Sequence, residues 1–486
     1  MDRFRTIASA VLMAVGYQFF WPLMLVGLIP LLFTSWQPYR LFLWGSVYMA
    51  SLHMFLISLH DDSHLMVALC LWGVTSLGYA MIYGLFGWLS HAVLYTWLPK
   101  TNIRLEMLQY IRHPWAFLPL VWPLIELTKS SGSFGNPNGN LGFGLAPIGP
   151  WIGIYSIIGH VGVSMIIVMV NGLLIQAIKH KKFSTWLILF FIFLLCVTLR
   201  SPNSVITHPI HASIIQTSLT QPKKTQKSHW PILDQHYPTL VNNSTGNLIV
   251  LPETIIPTDI QYRSLFNQLQ TLSNTQKKGI LFGSFIKEGN NTFNGSYFML
   301  PSQATQIYKK QQLMPFGETL PLRPVLSALI PDEYLFNDFT KGTKTILMPF
   351  HTLFIRPIIC LEAIYGRFYK APPNSVIAIM ANNAWFNQSS AGNKLRQFAQ
   401  IYAIEYQTMV LLSSNFGQSA VVGPRGRILQ LANHQNTSIL THPIQTTPSS
   451  SFYESSPYVG VVCLFFFWIA ILSTYLKPLQ KLYTMK

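Results

Sequence analysis

The segment Leu353-Phe354-Ile355-Arg356-Pro357-Ile358-Ile359-Cys360-Leu361-Glu362-Ala363-Ile364 is an apolar run that stops at a thiol and turns toward a helix. A run of this kind reads as a buried strand. A cysteine at its end occupies a strand-to-helix elbow, where the side chain projects and the following main-chain N–H groups can face a developing oxyanion. Thiolate chemistry also needs a proton acceptor and a cation. Two other strand ends offer them. Asn247-Leu248-Ile249-Val250-Leu251-Pro252-Glu253 puts a carboxylate just past a second apolar strand, and Tyr308-Lys309-Lys310-Gln311-Gln312-Leu313-Met314-Pro315-Phe316-Gly317-Glu318 offers lysine and a second carboxylate. A lone acidic or basic residue in a loop is usually a solvated charge, so the joint pattern is what points to chemistry.

Around these motifs, the runs Gly279–Gly283, Thr352–Ile355, Ser375–Ile379 and Met409–Leu412 also look like buried strands. Amphipathic stretches near 258–274 and 392–406 supply helices between them. Strands alternating with helices predict a layered α/β domain over residues 201–456. Within it, Gln221–His229 is polar and basic and reads as a mobile loop rather than a nucleic-acid patch. No internal repeat of solenoid period is evident. Cys360 is the one cysteine of this region, while Cys70, Cys196 and Cys463 lie in apolar runs, where a thiol is usually a small packing group.

The flanks are a different material. Half of the 486 residues are hydrophobic and 10% are charged, against roughly 25% charged in an ordinary soluble domain. A single soluble globule and a disordered chain are both excluded. The net charge of +17 does not signal nucleic acid, because its placement follows membrane loops. Apolar runs fall at about 6–34, 41–59, 66–98, 114–127, 151–177, 184–199 and 457–476, and a bilayer span needs roughly 20 residues. The first breaks at Trp21-Pro22, where proline cannot continue a helix ladder, and reads as a helical hairpin. The third is too long for one span and is expected to hold an interfacial turn before a helix at about 75–98. The expectation is a polytopic helical base of about eight spans, seven within residues 1–200 and one in 457–486.

Loop charge orients this base. Arg3 and Arg5, Arg40, Lys100 with Arg104, Lys179 to Lys182, and Lys477, Lys481 and Lys486 fall on one side if the spans alternate, and that side is cytoplasmic. The connections His60–His64 and Lys129–Pro150 hold one lysine between them, so the α/β domain is expected outside. A cleaved signal peptide is the alternative for the N-terminus, but no small-residue cleavage site follows the first run. His60 and His64 have metal-ligand spacing, yet with Asp61 and Asp62 they read as a polar loop, so no metal is expected.

Leu251-Pro252-Glu253, Lys310-x4-Pro315-Phe316-Gly317-Glu318 and Ile359-Cys360-x-Glu362 together resemble the Glu–Lys–Cys signature of the nitrilase superfamily. With spans on both flanks, the chain closely resembles the apolipoprotein N-acyltransferase family, the membrane-embedded branch of that superfamily. The likeness extends to Asn382–Phe386, Tyr402–Glu405, Ser413–Gly417 and Gly423–Gly426. It implies an αββα sandwich and assigns Cys360 as nucleophile, Glu253 as general base and Lys310 as the oxyanion-facing cation, with Glu318 and Glu362 in support. Lys309 is the alternative to Lys310, which the distance to Pro-Phe-Gly-Glu favours.

Trp230 falls near the family's Lys-Trp arm motif. Leu361 stands where the family commonly has tyrosine, and Asn383 where it has aspartate. With Trp385 and Phe386 these are the candidate substrate contacts, although Trp385 and Phe386 serve equally to close a core. The implied reaction moves an acyl chain from a phospholipid, through a thioester, to the α-amine of a diacylglyceryl-cysteine of an apolipoprotein. No organic cofactor or metal is implied, and a monomer in the bacterial inner membrane, with its catalytic domain on the periplasmic face, is expected. Two alternatives share the motifs: a membrane-tethered nitrilase-like amidase or hydrolase that uses water, and a catalytically dead lipoprotein-binding homologue, which the presence of all three reactive residues disfavours.

Overall fold

The computed structural model describes residues 1–61, 65–100, 111–132, 134–200, 204–321, 323–327, 338–386, 391–433 and 436–483. Asp62 and His64 of the expected external loop, together with Arg104 and Lys486, lie outside these residues. The chain divides into two compact units, Met1–Pro202 with Ser451–Lys486, and Asn203–Ser450.

The first unit is built from apolar helices. The run broken by Trp21-Pro22 forms the helix Asp2–Gln18, a tight turn at Trp21–Leu25 and a four-residue helix Ile29–Leu32. Asn171, inside the helix Tyr155–His180, satisfies this irregular backbone: its Oδ1 accepts the N–H of Leu28 and its Nδ2 donates to the carbonyl of Met24, both at 3.0 Å. Apolar surroundings demand such partners. The third run departs from expectation. Within this run, all of it described, no turn comes before residue 75; one helix runs from Leu65 to Ala92 and continues through a wider turn to Trp97. The first proline able to stop it is Pro99, and its glycines are tolerated where a proline would not be. Among the described residues, two helices are long and apolar enough to cross a membrane, Leu65–Trp97 and Tyr155–His180; Trp21–Leu32, Phe183–Thr198 and Val459–Tyr475 are apolar but shorter.

Among its described residues the second unit contains twelve strands: β1 (Ile206–Gln216), β2 (Leu248–Val250), β3 (Gly279–Glu288), β4 (Asn291–Met299), β5 (Gln306–Lys309), β6 (Met348–Phe350), β7 (Leu353–Ile359), β8 (Ser375–Asn382), β9 (Met409–Asn415), β10 (Ala420–Val422), β11 (Ile428–Leu431) and β12 (Ser438–Thr446). They form two six-stranded sheets, ordered β12-β1-β2-β3-β4-β5 and β11-β10-β9-β8-β7-β6. The sheets face each other over one core. Leu248 and Val250 of β2 meet Leu353, Ile355 and Ile359 of β7 and Val376, Ala378 and Met380 of β8 there.

The intervening residues point the other way, as the two-residue period of a strand requires. Ile249 and Leu251 pack with Leu233, Tyr237 and Val241 of the helix Trp230–Asn242 and with Leu265 and Leu269 of Ser264–Gln276. The helix Ala391–Tyr406 lies against β9. Helix, sheet, sheet and helix are thus stacked in four layers, which makes the central strands buried on both faces and explains their continuous apolar runs.

β1, β2 and β3 run parallel, as do β7, β8 and β9. The carboxyl ends of such strands are where open α/β sheets place their sites. Glu253, Cys360, Asn382 and Asn415 all stand at these ends. The Gln221–His229 segment is a further correction: Gln221–Thr225 is a helical turn whose Lys224 is fully buried, and Lys227–His229 forms a second turn. A polar composition conceals this, because the burial comes from partners far away in sequence.

Candidate active site

Cys360 follows β7 directly and takes φ +47°, a left-handed conformation that a non-glycine residue adopts only when its surroundings enforce it. The chain then makes a single tight turn, Cys360–Ile364, rather than the expected helix. Two further motif loops carry the same strain, at Thr254 (φ +48°) next to Glu253 and at Phe316 (φ +63°) between Lys310 and Glu318. Gly283 permits the close approach of β3 to this loop, since a Cβ there would come 2.7 Å from the Cα of Glu253.

Glu253, Lys310 and Glu318 converge on one ammonium. The Lys310 Nζ donates to Glu318 Oε1 at 2.8 Å and to Glu253 Oε1 at 3.3 Å, with Lys310 only 1% exposed. An ammonium has three protons. Among the described residues the third has no hydrogen-bond partner. Glu253 Oε2 accepts the main-chain N–H of Asn382 at 3.0 Å, and Glu318 Oε2 that of Met314 at 2.7 Å. Burial alone would push the Lys310 ammonium toward neutrality, but the Glu253 and Glu318 carboxylates override it and hold the group charged.

Cys360 is half-buried, and its thiol is pushed well up by burial and by the Glu253 carboxylate, with Lys310 acting in the opposite sense. The sulfur therefore rests protonated and needs a base. Glu362 is fully buried and ties two loops together. Its Oε2 accepts the N–H of Ile359 at 2.8 Å, while Oε1 accepts the Gln311 N–H at 2.6 Å, the Gln312 N–H at 3.2 Å and the Tyr308 hydroxyl at 2.7 Å. Burial raises its carboxyl above the usual range. The Cys360 elbow and the Lys310 loop are thereby fixed to one side chain.

The remaining expected residues separate. Lys309 points away from Lys310, pairs with the exposed Glu288 and lies 4.2 Å from the Phe293 ring centroid. Leu361 and Phe386 are half-buried and Trp385 is 43% exposed. Asn383 is buried and turned to Ser414, donating to its Oγ at 2.8 Å. Trp230 donates its indole N–H to the Lys224 carbonyl at 2.9 Å under the Arg263 guanidinium. Sequence reading missed three groups. Lys224 donates to the main-chain oxygen of Glu253 at 3.2 Å, and its amine is pushed down to about 7 by burial. Asn294 donates to both carboxylates. Asn382 sits inside a quoted motif, but its main-chain role was not legible. For Asn294, the cue was its place next to the Gly295 that pairs with Lys309.

Residues 212–448 match the carbon-nitrogen hydrolase family, the class that the paired sheets and the strand-end cysteine define. Residues 9–173 match the apolipoprotein N-acyltransferase N-terminal domain. The apolipoprotein N-acyltransferase of Nitrosomonas europaea is 26% identical over 422 residues, 83% of this chain and 80% of that protein. That of Photobacterium profundum is 24% identical, covering 69% of this chain and 68% of its own length. The Helicobacter pylori protein of the same name is 32% identical over 197 residues, 38% of this chain and 44% of that protein. Taken together, the matches make the chain similar to the apolipoprotein N-acyltransferases across both of its units, and to the carbon-nitrogen hydrolases across the α/β unit.

Proposed function

We propose that the chain moves an acyl group from a phospholipid, through a thioester on Cys360, to the α-amine of a diacylglyceryl-cysteine at a lipoprotein N-terminus. In the first half-reaction Glu253 takes the thiol proton and the sulfur attacks the sn-1 ester carbonyl. The oxyanion forms against the third N–H of Lys310 and the main-chain N–H groups of the elbow. The C–O bond then breaks, and the lysophospholipid hydroxyl leaves with the proton from Glu253. In the second, the neutral amine attacks the thioester, Glu253 takes its proton, the C–S bond breaks as the amide forms, and Glu253 returns that proton to the departing sulfur. Splitting the exchange through a covalent intermediate spares the two lipids from being bound together.

One observation carries this reading: a buried, charged Lys310 has two protons on carboxylates and the third without a partner among the described residues, close to a thiol that rests protonated. In this reading Glu318 and Glu362 support the three reacting groups, and Leu361, Trp385 and Phe386 contact substrate. We further infer about eight spans with both termini cytoplasmic and the α/β unit on the periplasmic face of the inner membrane. The loop charges support this orientation. Large apolar side chains exposed along the helix Leu65–Ala92, among them Val74, Met81 and Trp88, support a lipid environment.

Intact mass of the purified protein after incubation with phospholipid tests the proposal. A single acyl adduct on Cys360, discharged by an amine acceptor, is expected. The match to carbon-nitrogen hydrolases favours a second reading, in which water discharges the thioester; acyl release without transfer to the amine establishes that instead. No adduct under any condition removes the covalent step.

A further inference from the structure

Asn294 lies on β4 and is 3% exposed. Its Nδ2 donates to Glu253 Oε1 at 2.8 Å and to Glu318 Oε1 at 2.6 Å. A carboxamide nitrogen has two protons, and both are used. Its main-chain carbonyl accepts the N–H of Lys310 at 2.9 Å. The Oδ1, by contrast, is buried without a hydrogen-bond partner among the described residues. The reversed amide would set that oxygen against two carboxylate oxygens, so the orientation is decided by charge. Keeping an orphaned buried acceptor costs stability. The arrangement makes sense where the two donated bonds matter more than that cost.

We propose that Asn294 is a positioning residue for the thiol chemistry: it holds Glu253 and Glu318 apart on a single ammonium, so that two carboxylates remain ionised beside one lysine and Glu253 serves as base. Like charges sharing a site normally force one to keep a proton. Here one ammonium and one carboxamide supply four N–H bonds to the pair, and removal of Asn294 takes away two of these, leaving the two from Lys310 and the main-chain N–H groups of Asn382 and Met314. The charged and titratable groups facing Glu253 are Lys310 beyond β5, Glu318 from the following loop, Cys360 beyond β7 and Lys224 from the Gln221–Thr225 turn. Only Lys310 and Lys224 oppose proton uptake, and Lys224 does so through a main-chain oxygen.

The inference rests on the proposed roles of Cys360 and Glu253, and its test needs no lipid. Full-length protein in detergent micelles is alkylated with iodoacetamide as a function of pH, and Cys360 is quantified by peptide mass separately from Cys70, Cys196 and Cys463. In Asn294→Ala and Asn294→Leu the acid limb of the alkylation rate moves up by roughly one pH unit, with about a tenfold lower rate on the acid side, because a carboxylate stripped of a donor holds its proton to higher pH. Asn294→Leu is close to the native residue in size, adds no charge and decides the matter if the alanine variant does not fold. A limb that stays in place in either folded variant overturns the proposal, even when the rate falls, since a merely structural loss lowers the rate at all pH values alike. A displaced limb with no acyl adduct from phospholipid keeps Asn294 in its role and removes the acyl-transfer reading.

Discussion

Each unit of the molecule buries a lysine and a glutamate in apolar surroundings, and the partners they choose differ. In the helical unit Lys129 donates to the carbonyls of Asn136 and Asn138 at 2.9 and 2.6 Å. Glu126 accepts the N–H of Leu141 at 2.7 Å and the indole N–H of Trp122 at 3.0 Å. All but one of these four partners are main chain, so the side chains fasten the asparagine-rich stretch 136–141 to the helix Pro114–Ser130. In the α/β unit Lys310 donates to two carboxylates, and those accept from Asn294 as well. The same residue types hold backbone in one place and, in the proposed reaction, act on substrate in the other. What separates them is whether the bonded groups can change charge during a reaction. Backbone carbonyls cannot; carboxylates and a thiol can.

The strongest attempt to break this contrast removes the reacting atom. Cys360→Ser should give no stable acyl adduct in intact mass after incubation with phospholipid, because a hydroxyl is far less nucleophilic than a thiol in the same setting. Glu253→Gln should leave the thiol in place but unactivated, with turnover lost and the fold kept. Normal transfer by Cys360→Ser would remove the thiol from the chemistry. Next in size is Lys310→Met, expected to slow acyl-enzyme formation by about 10²–10³-fold, the usual loss for one oxyanion-stabilising group. Single-turnover acylation reads it. An unchanged rate would place Lys310 with Lys129, as an architectural lysine.

The mirror experiment is Lys129→Met. Two carbonyls lose their donor in apolar surroundings, at roughly 1–3 kcal/mol each. A lowered thermal midpoint is therefore expected, while the Cys360 alkylation rate below that midpoint stays as in the unaltered protein. A change in alkylation pH dependence would show that the helical unit shares in the chemistry.

The contrast also explains what could be seen from sequence. Glu253 and Cys360 were legible because each follows an apolar strand, and Lys310 because of its fixed distance to Pro315-Phe316-Gly317-Glu318; topology brings these points together. The central strands were legible as continuous apolar runs. Asn294 was not, since Phe293-Asn294-Gly295 inside a strand looks like any polar interruption until the β4–β5 register sets it beside Lys310. Lys224 was hidden by its neighbours: Lys223 and Lys227 are ordinary solvent-facing charges, and the burial of the one between them is decided by Glu253, far along the chain. In the helical unit, the break at Trp21-Pro22 follows from proline chemistry. The unbroken Leu65–Ala92 helix exceeds a span in length, which apolar composition does not limit.

Lys224 supplies a smaller effect with a definite sign. Its amine is held to about 7 in the folded chain, against 10.5 for the free side chain. Between those values the unfolded chain binds a proton that the folded chain does not, so the stability carried by this group rises with pH through that window and is weakest below its lower end. Lys224→Met removes the titration. Its thermal midpoint should gain most on the unaltered protein near pH 7 and least near pH 10, and parallel curves would show that the amine is not buried uncharged.

The smallest expected effect belongs to the residue adjacent to Lys310. Successive side chains of an extended segment point to opposite faces. Lys309, the last residue of β5, accordingly turns to Glu288 and the Phe293 ring, away from the two carboxylates. Its partner is exposed, and exposed ion pairs contribute about 0–1 kcal/mol. Lys309→Met should leave single-turnover acylation within about twofold of the unaltered protein and the thermal midpoint nearly unmoved, since the methionine chain still covers the aromatic ring. The pair of substitutions, one residue apart, isolates position from charge: both remove one positive charge at nearly the same point in the sequence. A defect at Lys309 as large as that at Lys310 would mean that net charge near the loop matters rather than a proton aimed at the reacting carbonyl. A large defect at Lys310 alone assigns the effect to geometry.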